Sequence, residues 1–317
     1  MTWFKQLSFY RLAGAVDHAA LAAALERRPF TPCGGLDWFS DGWVPPAPHL
    51  DKPMHTGRSS HLVALRREDK VLPVSVIRNF VEVKVREIED KELRRPGRKE
   101  RAAIKEQVTD DLLPRAFVRP SHTIAYIDNM RGWLMVDSAS AGKAESVVSR
   151  LREALPPFPA ALPRTKLAPH SAMTDWLAAG NAPGAFELDS DAVLRDGGEN
   201  GAQVKVSRFD LTAEEIRQHI ATGKQVTQLG LIWNEKIRFQ LTDDLRLKRI
   251  QFLDVLQDEA SQAGDDRESL FAATFLLMSE ELGELVESLI DTLGGLEESQ
   301  ARHEGTTQIQ APALPIA

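Results

Sequence analysis

Two adjacent carboxylates are the first side chains in this sequence whose types and spacing could support chemistry. Asp243 and Asp244 lie between two strand-like segments, and paired carboxylates can hold Mg²⁺ in a nuclease. A polar hairpin turn explains the same pair more simply. Other catalytic patterns are missing, since there is no Gly-x-Ser-x-Gly elbow, no phosphate-loop spacing around Gly142 and Lys143, and no metal spacing among the eight histidines. The sequence therefore predicts a non-enzymatic protein with no metal site and no cofactor.

Basic side chains form a second candidate site. Residues 84–105 hold nine Lys or Arg and five Asp or Glu, a local charge of +4. The helical pattern breaks at Pro96-Gly97, and five cations lie on the two sides of that break: Arg94, Arg95, Arg98, Lys99 and Arg101. Cations on a projecting corner can bind phosphates without reading bases. The alternative is a helical tip that is simply solvated.

The charge along the chain is segregated. The net charge is −7, but residues 253–304 contain 14 acidic residues against two arginines, a balance of −12 that leaves +5 for the remainder. Residues 202–252 contain nine basic and six acidic residues. This pattern predicts one surface that faces a polyanion and one acidic surface turned away from it. Two solvated helices of opposite sign would give the same composition.

Composition limits the class of protein. Apolar residues make up 43% and charged residues 27% of the 317 residues, which is typical of a globular chain of roughly two domains. The apolar stretches are shorter than the ~20 residues of a membrane span, and the first residues do not resemble a secretory signal. The single cysteine, Cys33, excludes an intrachain disulfide. We expect a cytoplasmic protein without a membrane partner.

Hydrophobic periodicity predicts helices and strands in both halves of the chain. The predicted helices are 17–26, 73–95, 98–113, 140–155, 171–179, 212–221, 253–263 and 267–293. The predicted strands are 3–12, 61–66, a hairpin over 122–138, and 225–233, 236–241 and 245–252. Residues 29–53 are predicted to be a long loop, and Thr212 to Glu215 a capping box. Hairpins and meanders among long amphipathic helices indicate an α+β fold with antiparallel sheets.

These elements suggest a division into regions. An N-terminal α+β region covers 1–155 and includes a projecting basic helical tip at about 73–113. A proline-rich hinge covers 156–170, a C-terminal α+β region covers 171–295 and ends in the acidic helix, and a disordered tail covers 296–317. The tryptophans are expected to pack in the core: Trp3, Trp43, Trp133, Trp176 and Trp233.

Several longer stretches are distinctive. They are 3–5, 30–34, 42–46, Leu112-Leu-Pro-Arg-Ala-Phe117, 135–137, 139–145, Asp210-Leu-Thr-Ala-Glu-Glu-Ile216, 223–224, 226–227, Trp233, 247–249 and 275–295. In this order, over about residues 1–295, they resemble the bacterial family of RdgC recombination-associated proteins.

The resemblance implies a function. Members of this family bind double-stranded DNA without sequence specificity and restrain the RecA recombinase, and they are not enzymes. Two copies form a ring-shaped homodimer, closed at two interfaces around a basic inner surface, so we expect a nucleoid-associated protein whose acidic C-terminal helix faces outwards. The main alternative is a protein-interaction factor that acts on the recombinase through that acidic helix, with DNA contact incidental.

Two family features can be assigned to residues. Ring closure falls at Phe117, which we expect on an irregular segment after Pro114, although packing in the core is the alternative. The second contact falls at Arg208 and Phe209, where Phe209 departs from the family's glutamine. The predicted DNA-binding residues are Arg94, Arg95, Arg98, Lys99, Arg101, Arg115, Arg119, Lys205, Arg208 and Lys224.

Overall fold

The computed structural model describes residues 3–198, 201–262 and 266–297. The elements of the first half are β1 (Ser8–Leu12), α1 (His18–Glu26), β2 (Phe39–Val44), β3 (Met54–Gly57), β4 (Ser60–Val71), α2 (Val74–Glu92), α3 (Arg98–Leu112), β5 (Phe117–Asp128), β6 (Trp133–Val136), α4 (Ala141–Ala154) and β7 (Ala160–Ala161). Those of the second half are α5 (Pro169–Ala179), β8 (Phe186–Arg195), β9 (Gln203–Val206), α6 (Glu214–Ala221), β10 (Gln225–Trp233), β11 (Ile237–Thr242), β12 (Leu247–Phe252), α7 (Asp254–Gln262) and α8 (Arg267–Thr292).

The strands form two antiparallel sheets, one from each half of the chain. The first has seven strands in the order β2-β4-β5-β6-β1-β7, with β3 also beside β4, and the second has five in the order β12-β11-β10-β8-β9. Helices interrupt both series of strands. The predicted α+β class is therefore confirmed.

The two longest strands form a ribbon that carries the helical tip. Strands β4 and β5 pair over their whole length, from Ser60 opposite Asp128 to Val71 opposite Phe117. Helices α2 and α3 are inserted between them, and a 3₁₀ turn (Leu113–Arg115) leads back from α3 into β5. The two helices have a small apolar cluster of their own: Ile77, Val85, Ile104 and Val108.

The main core joins the two halves of the chain. Tyr126 on the ribbon packs edge-on against Phe275 of α8, with ring centroids 5.9 Å apart, and against Phe4 at 5.7 Å. Twelve residues of α8 are buried, and the whole cluster includes side chains from both sheets. The net charge of α8 therefore hides a continuous apolar face that is buried, while the outward orientation of its acidic residues in a ring stays a prediction. The region boundaries stay a prediction.

Most predicted elements are observed, and the largest differences lie at three places. The predicted loop over 29–53 contains β2, whose Trp43 side chain is buried. Strands β8 and β9 had no predicted counterpart. The predicted capping box is wrong, since the N-cap of α6 is Ala213 and the Thr212 hydroxyl donates instead to Asp210 (Oγ1 to Oδ1, 2.6 Å).

The predicted burial of the tryptophans is confirmed for four of the five. The indoles of Trp43, Trp133, Trp176 and Trp233 are buried, and Trp3 is half-buried against Phe252, with ring centroids 4.4 Å apart. The predicted tail lies, from residue 298 onwards, outside the described residues. In the part of the chain that the structure describes, no helix has the length and apolarity needed to cross a membrane.

Candidate nucleic-acid interface

The free end of the ribbon displays an aromatic side chain. Phe117 is the first residue of β5 and is 87% exposed, and its cross-strand neighbour Val71 is also exposed. The expectation of an irregular segment is wrong, because pairing with β4 extends to Phe117, two residues after the end of the 3₁₀ turn. Core packing is also wrong for this chain by itself. Its role in ring closure stays a prediction.

Two arginines flank this aromatic. Arg115 and Arg119 are exposed, and within the described residues neither forms an ion pair. The carboxylate opposite Arg119 is that of Asp69, but it accepts hydrogen bonds from Arg67 at 2.8 and 3.0 Å. Residues 117 and 119 share a face of β5, since alternate strand residues point the same way. The ribbon end therefore presents an apolar ring beside free guanidinium groups.

The helical tip carries five cations, of which two form ion pairs and three do not among the described residues. Arg94 is bound between two carboxylates, with nitrogen–oxygen distances of 2.6 Å to Glu92 and 2.6 Å to Glu100, and hydrogen bonds to Glu100 and Glu92 raise its pKa. Arg95 lies 3.7 Å from Glu89. Much of the charge of these two arginines is thus matched locally.

The other three tip cations begin α3. Arg98, Lys99 and Arg101 are exposed and form no ion pair within the described ranges. The first turn of a helix disfavours positive charge, because its free N–H groups carry a partial positive charge. The positive charge of these three residues is not stabilised within the described chain, so they are available to bind an external anion.

The predicted residues of the second half lie on the second sheet or in the connections beside it. Lys205 is exposed on β9, whereas the Lys224 side chain is only 16% exposed and binds Asp196 (Nζ to Oδ1, 3.1 Å). Arg208 has a left-handed backbone (φ 54°) and its N–H donates to Asp191, while Phe209 is partly exposed. The ten predicted DNA-binding residues therefore fall into two sets, one on the ribbon end with its helical tip and one on or beside the second sheet.

The paired aspartates occupy the turn between β11 and β12, as the simpler interpretation predicts. Asp244 is 2.7 Å from Arg246 and accepts a hydrogen bond from Thr242 at 2.5 Å. Both aspartates line a cleft of about 360 Å³ with Arg164 and Glu297. Among the described residues, no three His, Cys, Asp or Glu side chains are placed to hold one metal ion.

A larger polar cleft was missed by the sequence analysis. Its volume is about 690 Å³, and it lies on the second sheet, where the side chains of Arg238 and Arg249 face those of Asp189 and Asp191. Two of its acidic residues lie on β8, a strand that the sequence pattern did not predict. The available signal was Gly230, a glycine inside a strand pattern, which indicates a bulge or a close backbone approach.

Comparisons with known proteins cover almost all of the chain. A family model described as "RdgC: Putative exonuclease, RdgC" matches residues 2–296. The recombination-associated protein RdgC of Laribacter hongkongensis (strain HLHK9) is 55% identical over 296 residues, which is 92% of this chain and 98% of that protein. Those of Neisseria meningitidis serogroup C (strain 053442) and Janthinobacterium sp. (strain Marseille) are 49% and 40% identical over 295 residues, again 92% of this chain and 99% and 98% of theirs.

These matches define the class of protein as recombination-associated. The chain belongs to the RdgC family, and its membership supports a role in recombination. The family description also mentions an exonuclease, whereas the matched relatives are named for recombination.

Proposed function

We propose that this protein binds double-stranded DNA without sequence specificity, as a homodimeric ring around the duplex, and that it modulates homologous recombination by restraining RecA. The observation that carries the proposal is the end of the ribbon. There, the 87%-exposed ring of Phe117 lies between Arg115 and Arg119, two exposed arginines without an ion pair among the described residues.

Phosphate contacts explain how an acidic chain can bind a polyanion. Each lysine or arginine that neutralises a phosphate releases counterions, and this gain is independent of sequence. The net charge of −7 is a sum over the whole chain, whereas binding depends on the local charge, which is +4 over residues 84–105, and several carboxylates of α8 have cationic partners within the chain. Glu281 is 2.6 Å from Lys236, Glu280 is 3.0 Å from Arg58, and Glu287 is 3.2 Å from Arg131.

The exposed aromatic supports the proposed dimer closure. An apolar side chain at the end of a rigid ribbon loses water when it meets its own copy across a two-fold axis. Such a contact would place Arg115 and Arg119 at the edge of the interface, within reach of duplex phosphates. The second contact of the ring is proposed at Arg208 and Phe209, whose side chains are exposed.

Restraint of RecA is proposed to follow from occupancy of the duplex. A ring closed on nucleoid DNA would cover a site that the recombinase needs, without a direct contact between the two proteins. The competing proposal, binding to the recombinase through the acidic helix, is weaker because the apolar face of α8 is buried and several of its carboxylates are paired.

Fluorescence anisotropy with two duplexes of unrelated sequence tests the proposal. If about six phosphates are neutralised, the logarithm of the association constant should fall with the logarithm of salt concentration at a slope near −5. Equal affinity for both duplexes is expected. Binding that is flat in salt, or confined to one sequence, would contradict the proposal. Incubation of the same duplexes with Mg²⁺ tests the exonuclease description, since intact DNA is the expected result.

A further inference from the structure

The polar cleft on the second sheet is shaped by a bulge in β8. Leu188 and Ala192 pair with Leu231 and Leu229 of β10, so three residues of β8 lie opposite the single residue Gly230. A Cβ atom at position 230 would lie 3.0 Å from the Asp191 carbonyl oxygen and 3.2 Å from the Asp189 Cβ. Glycine therefore allows the bulge, and the bulge directs both aspartates into the cleft.

A second irregularity faces the first. Strand β12 shifts its register against β11 between Arg238 and Gln240, and Arg249 in this stretch has a left-handed backbone with φ 52°. Arg208, which also lines the cleft, has φ 54°. Residues other than glycine rarely adopt this conformation, and such residues cluster where a protein binds ligands. Two of the strained residues of this sheet thus bring arginine side chains to one cleft.

The arginines are held loosely. Arg238 Nε lies 3.4 Å from Asp189 Oδ2, and Arg249 Nη1 lies 3.4 Å from Asp191 Oδ2. A strong charge-assisted hydrogen bond is shorter, about 2.7–2.9 Å. The Arg208 guanidinium forms no ion pair among the described residues. Three arginines against two aspartates leave the cleft with a positive balance and with donors that are free to turn towards a ligand.

We infer that this cleft binds phosphate groups of the nucleic-acid backbone through Arg208, Arg238 and Arg249, while Asp189 and Asp191 hold two of these arginines in place when DNA is absent. The inference rests on the proposed function and assigns part of the DNA contact to the second sheet. A protein partner fits less well, because an interface core is normally apolar and the phenylalanine that lines this cleft, Phe239, is buried.

Neutralising substitutions test the assignment in the full-length protein. Each lost phosphate contact should reduce the salt slope by about 0.9 and weaken binding about eightfold at 0.1 M salt. The double variant Arg238→Gln/Arg249→Gln should therefore lose about two units of slope and bind a duplex roughly 60-fold more weakly. The matched control is Arg28→Gln/Arg152→Gln, which removes the same charge from two exposed arginines that are also ion-paired, to Glu153 and Glu145.

The opposite change keeps the test valid if the arginine variant does not fold. Asp189→Asn/Asp191→Asn retains an acceptor for the Arg208 N–H but removes two negative charges, so duplex affinity should rise several-fold. Circular dichroism and sedimentation are measured for every variant.

The possible outcomes distinguish a failure of the proposed DNA binding from a failure of the assignment of this cleft. If the wild-type protein shows no salt-dependent duplex binding, the proposed function fails. If the wild type binds but the cleft variants match the control, the inference about the cleft is overturned. It is also overturned if these variants change only the oligomeric state, because that result would assign the cleft to a contact between copies of the chain. Binding of free pyrophosphate in calorimetry with unaltered duplex affinity would overturn the assignment to DNA.

Discussion

The substitution Phe117→Ser should separate association from folding. The Phe117 side chain is 87% exposed, so its loss should change the free energy of unfolding by no more than about 0.5 kcal/mol. Phe275→Ser, at a fully buried position, should cost about 3–5 kcal/mol by comparison. Thermal unfolding followed by circular dichroism measures both changes.

The same substitution should strongly weaken the dimer. An aromatic side chain of roughly 200 Å² that is mostly exposed offers about 170 Å² per copy, so complete burial of both copies would contribute about 8 kcal/mol at ~25 cal/mol per Å². Two facing rings bury only part of this area, so we expect a loss of about 2–4 kcal/mol, or roughly 30- to 700-fold in the dissociation constant. Sedimentation equilibrium measures this constant.

DNA retention gives a second measurement. A clasp matters most where the duplex has no end, so Phe117→Ser should reduce retention on closed circular DNA more than on linear DNA. The control is Phe80→Ser, which removes an exposed phenylalanine from α2 instead of from the ribbon. Ring closure at Phe117 is refuted if Phe117→Ser unfolds the chain, or if it leaves both the dissociation constant and the retention on circular DNA unchanged.

Three further predictions concern the tip, a glycine and a histidine. Changing Arg98, Lys99 and Arg101 together to glutamate should lower duplex affinity about a hundredfold or more at 0.1 M salt without lowering the melting temperature. Unaltered affinity would show that the tip is only solvated. Gly42→Ala should lower the free energy of unfolding by about 2 kcal/mol or more, because its Cβ would overlap the Phe30 backbone. Gly142→Ala in α4, measured by the same chemical denaturation, should leave this free energy unchanged or raise it. Burial, and then the neighbouring His18, lower the pKa of His61, so the unfolding free energy should decrease as pH falls below about 6.5, and His61→Gln should weaken that dependence in a pH series of urea melts.

Local patterns explain the part of the fold that could be predicted. Helices α2 and α3 were predicted because their apolar stripes repeat at helical spacing and Pro96-Gly97 separates them. The meander from β10 to β12 was also predicted from local pattern, because its alternating apolar residues and its turn residues follow one another in the chain. The basic tip was also visible, because its cations are neighbours in sequence.

Net charge did not reveal the buried face of α8. Its acidic residues suggested an outward-facing helix, but charge is summed over all faces of a helix, whereas burial depends on one face alone. The Leu and Phe side chains on that face pack against the ribbon, and the carboxylates beside them meet Arg58, Lys236 and Arg131 from distant parts of the chain. Only the tertiary structure brings those partners within reach.

The sequence by itself determined the helices, the hairpins and the cations of the tip, because these depend on spacings of a few residues. Only the tertiary structure decided that Phe117 is exposed at a ribbon end and that Arg238 and Arg249 meet Asp189 and Asp191 in one cleft. These arginines lie about fifty residues from the aspartates along the chain, and the bulge in β8 together with the register shift of β12 brings them together. No local pattern encodes such a meeting, since it arises from the pairing of four strands.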